Sequence, residues 1–269
     1  MDINAYLERI GYRGERQPTP QTLFALQRAH LTAIAYENLD IHLDRSLVLD
    51  QSAVFDKIVT RHRGGWCYEM NGLFAWALGE LGFDVTLLSS AVNREAIGDR
   101  AKNNHLILLV RLDQPYLVDV GFGNGFVEPL PLRPGQYRQA YLTYGLANGG
   151  ERWHFTNHVY GGPGYDFTLE PHALDDFAAK SHELQTSPES GFVRVVVCHR
   201  FTAAGMITLR GAILRTITEA GAQDETIEDE TTYRRVLSDQ FDLHLPDNDL
   251  AVLWQIVWQK HQEFLQQQS

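Results

Sequence analysis

The sequence predicts an α+β fold, in which helices at both ends of the chain flank a strand-rich middle. The first third shows helical periodicity, and so does the tail from about Asp247. From Val85 onward, short runs rich in β-branched and aromatic residues alternate with Gly, Pro, Asn and Asp. Such runs are typical of antiparallel sheets, and we expect a barrel or a sandwich.

Three helices are predicted in the first third. A Thr-Pro pair at residues 19–20 is the pattern of an N-cap and a first helical residue, and residues 21–35 continue it. The second helix covers roughly residues 51–61, and the third runs from residue 66 or 67 to 82. Apolar positions on the third helix share one face: Cys67, Met70, Phe74, Ala77 or Leu78, and Leu81. Cys67 is therefore expected to point inward from the first helical turn.

The strand-like runs of the middle are VTLLSSAVN, HLILLVRL, YLVDVGFG, RWHFTNHVY and YDFTL. Farther along, FVRVVVCHRF near Phe192 predicts a buried strand, and ITLRGAILRTIT predicts a hairpin. We expect the acidic run QDETIEDETT to be a solvated loop. TTYRRVLSDQF predicts one helix of the tail. The other helix carries an apolar stripe made of Leu250, Leu253, Trp254, Val257 and Trp258.

The overall composition is that of an ordinary globular protein, with 44% hydrophobic and 21% charged residues. The formal net charge of −11 argues against nucleic acid as a partner, because phosphate binding requires a basic surface. Two cysteines in 269 residues are too few for a disulfide framework. Because no run has the character of a secretory signal or a membrane span, we expect a cytoplasmic protein without a membrane partner.

The stretch RGGWCYEMN places Cys67 at the start of the third predicted helix. A thiol there lies at the positive end of the helix dipole, and Arg63 adds a positive charge nearby. Both features favour a nucleophilic thiolate. Gly64 and Gly65 allow a tight turn and a close backbone approach. The alternative is a small buried packing residue, which is the usual role of a free cysteine.

A nucleophilic cysteine requires a base, and the base requires an orienting group. His105 opens the run HLILLVRL, and a three-residue turn leads into YLVDVGFG, which contains Asp119. If Arg111 pairs with Pro115, the ladder extends to Ile107 opposite Asp119. His105 and Asp119 then lie on one face as diagonal neighbours, whereas a shift of one residue would separate them. The alternatives are a core histidine and a backbone-bonded aspartate.

Other candidate residues are expected to be structural. The run GFGNGF lacks the glycine spacing of a dinucleotide-binding fingerprint, and we expect a strand-end turn, with phosphate binding as the alternative. His154 and His158 lie in a strand-like run, where they do not converge on a metal. Cys198 is expected in the core, and Glu37 is expected to pair with Arg63. No cysteine–histidine cluster has zinc spacing, so no metal is expected.

Four segments, in this order, resemble the arylamine N-acetyltransferases: AYENLDIHL, RGGWCYEMNGLFAWAL, NHLILLV and LVDVGFGNGFVEPLPL. The family pattern is close to ENLD, RGG-x-C-x-E-x-N, an isolated His, and DVGFG. The resemblance covers residues 3–132 well and continues more weakly through TSPESGFVRVVVCHR and ITLRG. Trp66 departs from the pattern, since many members carry a smaller aromatic residue there. The turn at residues 201–205 also lacks the usual Asp-Gly.

The resemblance implies a catalytic triad of Cys67, His105 and Asp119, like the core of a cysteine protease. It also implies a fold of three parts. A helical bundle with the cysteine covers residues 1–84, and a β-barrel with the histidine and aspartate covers residues 85–190. An α/β lid with the C-terminal helices covers residues 191–269.

The activity implied by the resemblance is transfer of an acetyl group from acetyl-CoA to arylamines, arylhydrazines or heterocyclic amines. The implied mechanism is ping-pong, through an acetyl group on Cys67. Phe122, Gly123 and Phe192 would line the cleft for the acyl group and CoA. Three alternatives stay open: a thiol hydrolase with the same triad, an amide synthase that takes its acyl chain from a carrier protein, and a non-catalytic binding protein. The sequence predicts neither the natural amine nor the oligomeric state.

Overall fold

The predicted α+β class is confirmed. The computed structural model describes residues 1–268. In chain order, the helices α1 to α10 are Ile3–Arg9, Pro20–Ala33, Leu39–His42, Gln51–Phe55, Cys67–Glu80, Arg94–Ile97, Ala178–Thr186, Gly191–Arg194, Glu230–Arg235 and Asp247–Gln268. Within this part of the chain, no helix is both long and apolar enough to span a lipid bilayer.

Thirteen strands form two antiparallel sheets among the described residues. In chain order, β1 to β13 are Tyr36–Glu37, Asp84–Val92, His105–Arg111, Pro115–Val118, Leu130–Pro131, Gly135–Gln139, Leu142–Asn148, Trp153–Thr156, Tyr165–His172, Val197–Thr202, Gly205–Arg210, Ile213–Thr218 and Gly221–Thr226.

The larger sheet has eight strands in the order β5-β4-β3-β2-β9-β8-β7-β6. It curls into a nearly closed barrel, with helices at both ends of the fold. Its interior is filled by aromatic and aliphatic side chains, among them Phe126, Tyr144 and Phe155. The predicted barrel is therefore confirmed, including the strand that begins at His105.

The smaller sheet has five strands in the order β1-β10-β11-β12-β13. Strand β1, from the helical first third, pairs with β10 through Tyr36 opposite His199 and Glu37 opposite Cys198. The predicted hairpin at ITLRGAILRTIT is present as β11 and β12. Helix α10 packs on this sheet through Leu253, Trp254 and Val257, as its apolar stripe predicted. The division into units 1–84, 85–190 and 191–269 stays a prediction.

Two predictions about the last third were wrong. The strand expected near Phe192 begins only at Val197, and Phe192 lies in the one-turn helix α8. The Ser190 side chain accepts a hydrogen bond from the backbone N–H of Phe192, and this N-cap favours a helical turn over a strand. The expected acidic loop is partly strand β13, an exposed sheet edge. Its acidic side chains oppose further strand pairing.

Helix α5 carries Cys67 in its first turn, where the sequence predicted it. The carboxylate of Glu69 accepts a hydrogen bond from the backbone N–H of Trp66, the N-cap residue, at 3.1 Å. This contact satisfies an N–H group that the helix start leaves free. Most of the helix is buried, with Met70 and Phe74 in the main core cluster. Cys67 therefore has a fixed position at the edge of the core.

Gly64 allows the chain before helix α5 to pass directly beside strand β1. Gly65 forms a parallel bridge with Tyr36, and the backbone N–H of Glu37 donates to the Gly65 carbonyl at 2.9 Å. A Cβ atom at Gly64 would lie 2.2 Å from the carbonyl oxygen of Ala35. Since the obstacle is backbone, a side chain at residue 64 requires the two segments to separate.

We expect Gly64→Ala to lower the free energy of unfolding by about 3 kcal/mol, because the added methyl group overlaps a backbone oxygen. Gly79→Ala is the matched control: its Cβ meets nothing within 4 Å, and it lies in helix α5. That substitution should raise the free energy of unfolding by up to about 1 kcal/mol. Urea unfolding followed by circular dichroism measures both, and equal effects would contradict the close approach.

Candidate active site

A small cavity lies where helix α5, the barrel and the C-terminal third of the chain meet. Its volume is about 180 Å³. Cys67 from α5 and His105 from the start of β3 both line it. The rest of its wall is mainly apolar, formed by Tyr36, Val92, Asn104, Gly121, Phe122, Leu184 and Phe192. The two residues that the sequence singled out as nucleophile and base thus face the same space.

The predicted hairpin register is present. Arg111 pairs with Pro115, and the ladder continues to Leu108 opposite Val118, where strand β4 ends. Beyond that point the side chains of His105 and Asp119 meet. Nε2 of His105 lies 2.8 Å from Oδ2 of Asp119. Because a carboxylate only accepts hydrogen bonds, Nε2 donates and Nδ1 is the nitrogen free to take a proton.

Asp119 is buried, with 3% of its surface exposed, and four donors satisfy its carboxylate. Oδ2 accepts from His105 and from the hydroxyl of Tyr165, which lies 3.1 Å away. Oδ1 accepts from Nδ2 of Asn71 and from the backbone N–H of Gly121, each at 2.9 Å. These bonds meet the cost of burying the charge and fix the side-chain rotamer. The carboxylate therefore holds the imidazole in one orientation.

Asn71 joins helix α5 to the barrel. Its Nδ2 donates to the carbonyl of Leu106 at 2.7 Å and to Asp119, and its Oδ1 accepts from the backbone N–H of Val120 at 2.9 Å. Gly121 lies against the same helix, and a Cβ atom there would be 2.7 Å from the carbonyl oxygen of Cys67. The absence of a side chain at Gly121 thus allows Asp119 to lie beside the first turn of α5.

Sequence reasoning did not identify the roles of Asn71 and Tyr165. Asn71 stands in the RGGWCYEMN stretch, and its position one helical turn after Cys67 is the signal that could have revealed it. Tyr165 offers no such local signal. Its ring packs against His105 at 5.3 Å and against Phe122 at 5.2 Å between ring centroids.

Arg63, which was expected to add positive charge beside Cys67, is bound by two carboxylates. The guanidinium of Arg63 binds Glu37 at 2.8 Å and Asp40 at 3.1 Å, so the predicted pairing with Glu37 is confirmed. Burial raises the pKa of the Cys67 thiol, and the Asp119 carboxylate raises it further. A thiolate at this position therefore requires a cation at its side. The imidazole of His105 lies in the wall of the same cavity.

A buried charge network supports the start of helix α5. Nζ of Lys57 binds both carboxylate oxygens of Glu69, at 3.0 and 2.9 Å, and Oδ2 of Asp40 at 3.0 Å. Asp40 also binds Arg63, and Glu69 also accepts the hydrogen bond from the N–H of Trp66. Burial tends to raise the pKa of Asp40, but Lys57 and Arg63 together lower it. The network joins the ENLD segment to the turn before Cys67.

The other candidate residues take the following positions. Phe122 and Phe192 lie in the cavity wall, whereas Gly123 packs against the ring of His199. His154 binds Asp166 at 2.7 Å, and His158 lies 2.9 Å from the carbonyl of Asn124; both contacts are structural, as expected. Cys198 is buried in the core, as predicted. Across residues 1–268, no group of three His, Cys, Asp or Glu side chains is arranged to hold a metal.

Comparison with known proteins identifies the family. A family model described as N-acetyltransferase matches residues 19–250. The pineal gland isozyme of arylamine N-acetyltransferase from Gallus gallus is 36% identical over 238 residues, which are 78% of this chain and 81% of the relative. This chain belongs to the arylamine N-acetyltransferase family.

Solved arylamine N-acetyltransferases share its fold. The M. smegmatis enzyme superposes with a TM-score of 0.88 at 32% identity, covering 96% of this chain and 99% of that one. The Mycobacterium marinum enzyme in complex with CoA superposes with a TM-score of 0.85 at 31% identity, covering 95% and 98%. The resemblance seen in the sequence motifs is confirmed, and the chain is an acyltransferase.

We expect Asn71→Asp to lower the free energy of unfolding at pH 7 by about 3 kcal/mol. The new carboxylate lies beside Asp119 and, as an acceptor only, donates nothing to it or to Leu106. Its charge is disfavoured in the fold, so the loss should shrink as the pH falls and one carboxyl binds a proton. The measurement is urea unfolding at several pH values.

Asn148→Asp is the control for this substitution. Asn148 is exposed, and its side-chain oxygen accepts from the N–H of Gly150, which a carboxylate also does. Its effect should stay within about 0.5 kcal/mol at each pH. A loss in Asn71→Asp no larger than that in the control would show that Asn71 does not join the helix to the barrel.

Proposed function

We propose that this arylamine N-acetyltransferase transfers an acetyl group from acetyl-CoA to the nitrogen of arylamines or arylhydrazines. The observation that carries the proposal is the buried His105–Asp119 pair, whose imidazole lines one cavity with Cys67. The M. marinum relative solved with CoA supports CoA as the carrier of the acetyl group. The mechanism is ping-pong, with Cys67, His105 and Asp119 as the catalytic residues.

In the first half-reaction, Nδ1 of His105 takes the proton of the Cys67 thiol, and the sulfur attacks the thioester carbonyl carbon. Backbone N–H groups beside Cys67 stabilise the oxygen that becomes negative in the tetrahedral intermediate. The bond from carbon to the CoA sulfur breaks, and the CoA thiol leaves with a proton from the imidazolium. The product is an acetyl group in thioester linkage to Cys67.

In the second half-reaction, the amine nitrogen attacks the acetyl carbon on Cys67. His105 removes a proton from the nitrogen, and the Cys67 sulfur departs and recovers a proton. Asp119 keeps Nε2 protonated throughout, so that Nδ1 is the exchanging nitrogen in both halves. One imidazole thus serves as base and as acid in turn.

An aromatic acceptor fits the wall of the cavity. Phe122 and Phe192 present rings, and Val92 and Leu184 add apolar surface. Sites for small organic molecules are mostly apolar with a few polar groups that fix orientation, and here the polar groups are Cys67 and His105. We propose that Phe122 and Phe192 contact the acyl group and the acceptor ring, and that Gly123, which lies outside the cavity wall, borders the cleft where CoA binds. The expected cytoplasmic location stays a prediction.

We expect acetyl-CoA, mixed with the protein in the absence of an amine, to add one acetyl group that intact mass spectrometry detects. Cys67→Ala should gain none, and an arylamine should remove the group from the wild-type protein. Acetyl-CoA hydrolysis without a detectable adduct would favour the thiol hydrolase. If the folded protein does not react with acetyl-CoA but another thioester acylates Cys67, the amide synthase would be favoured.

We expect His105→Ala to shift the reactivity of Cys67 to higher pH. In wild type the imidazole accepts the proton, and iodoacetamide alkylation should be fast near neutral pH. Without it, burial raises the pKa of the thiol, so alkylation at pH 7 should fall by about a hundredfold and rise about tenfold per pH unit. Mass spectrometry after timed quenching measures the rate, with Cys67→Ala as the blank. An unchanged pH profile would show that His105 is not the base.

A further inference from the structure

The one-turn helix α8 forms part of the active-site wall. Phe192, its second residue, lines the cavity with Cys67. The ring of Phe192 also packs edge-on against that of Trp66, with 5.3 Å between centroids and an interplanar angle of 90°. A helix of four residues is not stable by itself, so other segments must hold it in place.

Asn38 holds helix α8 from one side. Its side chain is buried, and Nδ2 donates to the carbonyl oxygens of Phe192 and Val195, each at 2.9 Å. Its Oδ1 accepts from the backbone N–H of Val197 at 2.8 Å. One side chain thus binds a residue within the helix, the residue that follows its end and the first residue of strand β10. Asn38 itself immediately follows strand β1, which pairs with β10.

Lys260 holds the same helix from the other side. Its Nζ donates to the carbonyl oxygens of Val193 at 3.1 Å and Arg194 at 2.7 Å. Lys260 lies on helix α10, which is fixed to the core by residues such as Leu253 and Val257. A cation at the carbonyl end of a helix is favourable, because the last carbonyls lack partners within the helix.

Asn38 and Lys260 therefore bind four consecutive carbonyl groups, those of residues 192 to 195. We propose that these two side chains are positioning residues that hold Phe192 in the acceptor cavity, and that helix α10 sets the shape of this wall. The inference rests on the proposed function, in which an aromatic acceptor contacts Phe192. Neither Asn38 nor Lys260 lines the cavity.

The first test compares Lys260→Met with wild type in arylamine acetylation. The methionine keeps an apolar stem but donates nothing. The KM for the arylamine should rise about fivefold, with kcat within about twofold, because the ring loses a contact made equally in the ground and transition states. Lys260→Arg should restore the KM, since a guanidinium also donates to carbonyls. Gln259→Met, on the exposed neighbouring residue, is the matched control.

A double-substitution cycle tests whether Lys260 acts through Phe192. In a Phe192→Ala background, Lys260→Met should change the KM by less than about twofold. A fivefold rise in that background would overturn the proposal, as would an unchanged KM in Lys260→Met alone. Asn38→Leu should raise the KM as Lys260→Met does. Because Asn38 is buried, circular dichroism first checks that the Asn38→Leu variant folds. If it does not fold, the Lys260 variants decide the outcome.

A second readout needs neither acyl donor nor amine. Cys67 is alkylated with iodoacetamide and, separately, with bromoacetanilide. The aromatic ring of bromoacetanilide would pack against the part of the cavity wall that contains Phe192. The rate with the aromatic reagent, divided by the rate with iodoacetamide, should fall about threefold in Lys260→Met and recover in Lys260→Arg. An unchanged ratio would overturn the proposal. If acetyl transfer fails while the ratio falls as expected, the proposed function is wrong and the positioning role of Lys260 stands.

Discussion

The buried carboxylate of Asp119 is the constraint on which the site depends. Its oxygens accept hydrogen bonds from His105 on β3, Asn71 on α5 and Tyr165 on β9. Removing a partner from a buried charge costs far more than removing one at the surface. The hairpin, the helix and β9 must therefore reach their places together. Satisfying this one charge aligns the imidazole with the helix turn that carries Cys67.

A second set of buried charges fixes the start of that helix. Lys57 neutralises Glu69 and Asp40, and Arg63 neutralises Asp40 and Glu37. Burying such groups costs solvation free energy, and apolar residues of the same volume often stabilise a protein equally well. The network links separate segments, because Asp40 binds both Lys57 and Arg63, and Glu69 binds both Lys57 and the N–H of Trp66. That arrangement places the N–H of Trp66 on Glu69 and so sets where the helix begins.

The sequence predicted what local patterns determine. The three-residue turn fixed the pairing of Arg111 with Pro115, and with it the meeting of His105 and Asp119. Contacts without a local pattern escaped: nothing in the run YDFTL shows that the hydroxyl of Tyr165 reaches Asp119 across the barrel. Strand β6 and helix α7 were not predicted, because their residues are mostly polar and show little apolar periodicity. Strand β7 was missed although Leu142, Tyr144 and Leu146 alternate along it. The β-branched run after Phe192 favoured a strand, but capping by Ser190 prevailed.

The two cysteines of the chain differ in the groups that the fold places around their thiols. Burial raises the pKa of both thiols, so neither forms a thiolate readily by itself. Cys198 is enclosed in a core cluster with Leu209 and Leu253, where ionisation gains nothing. Cys67 faces a cavity that also presents an imidazole held by a carboxylate. Cys67, unlike the enclosed Cys198, therefore shares a cavity with an imidazole that can take its proton, and this placement arises where helix α5 and the β3–β4 hairpin meet.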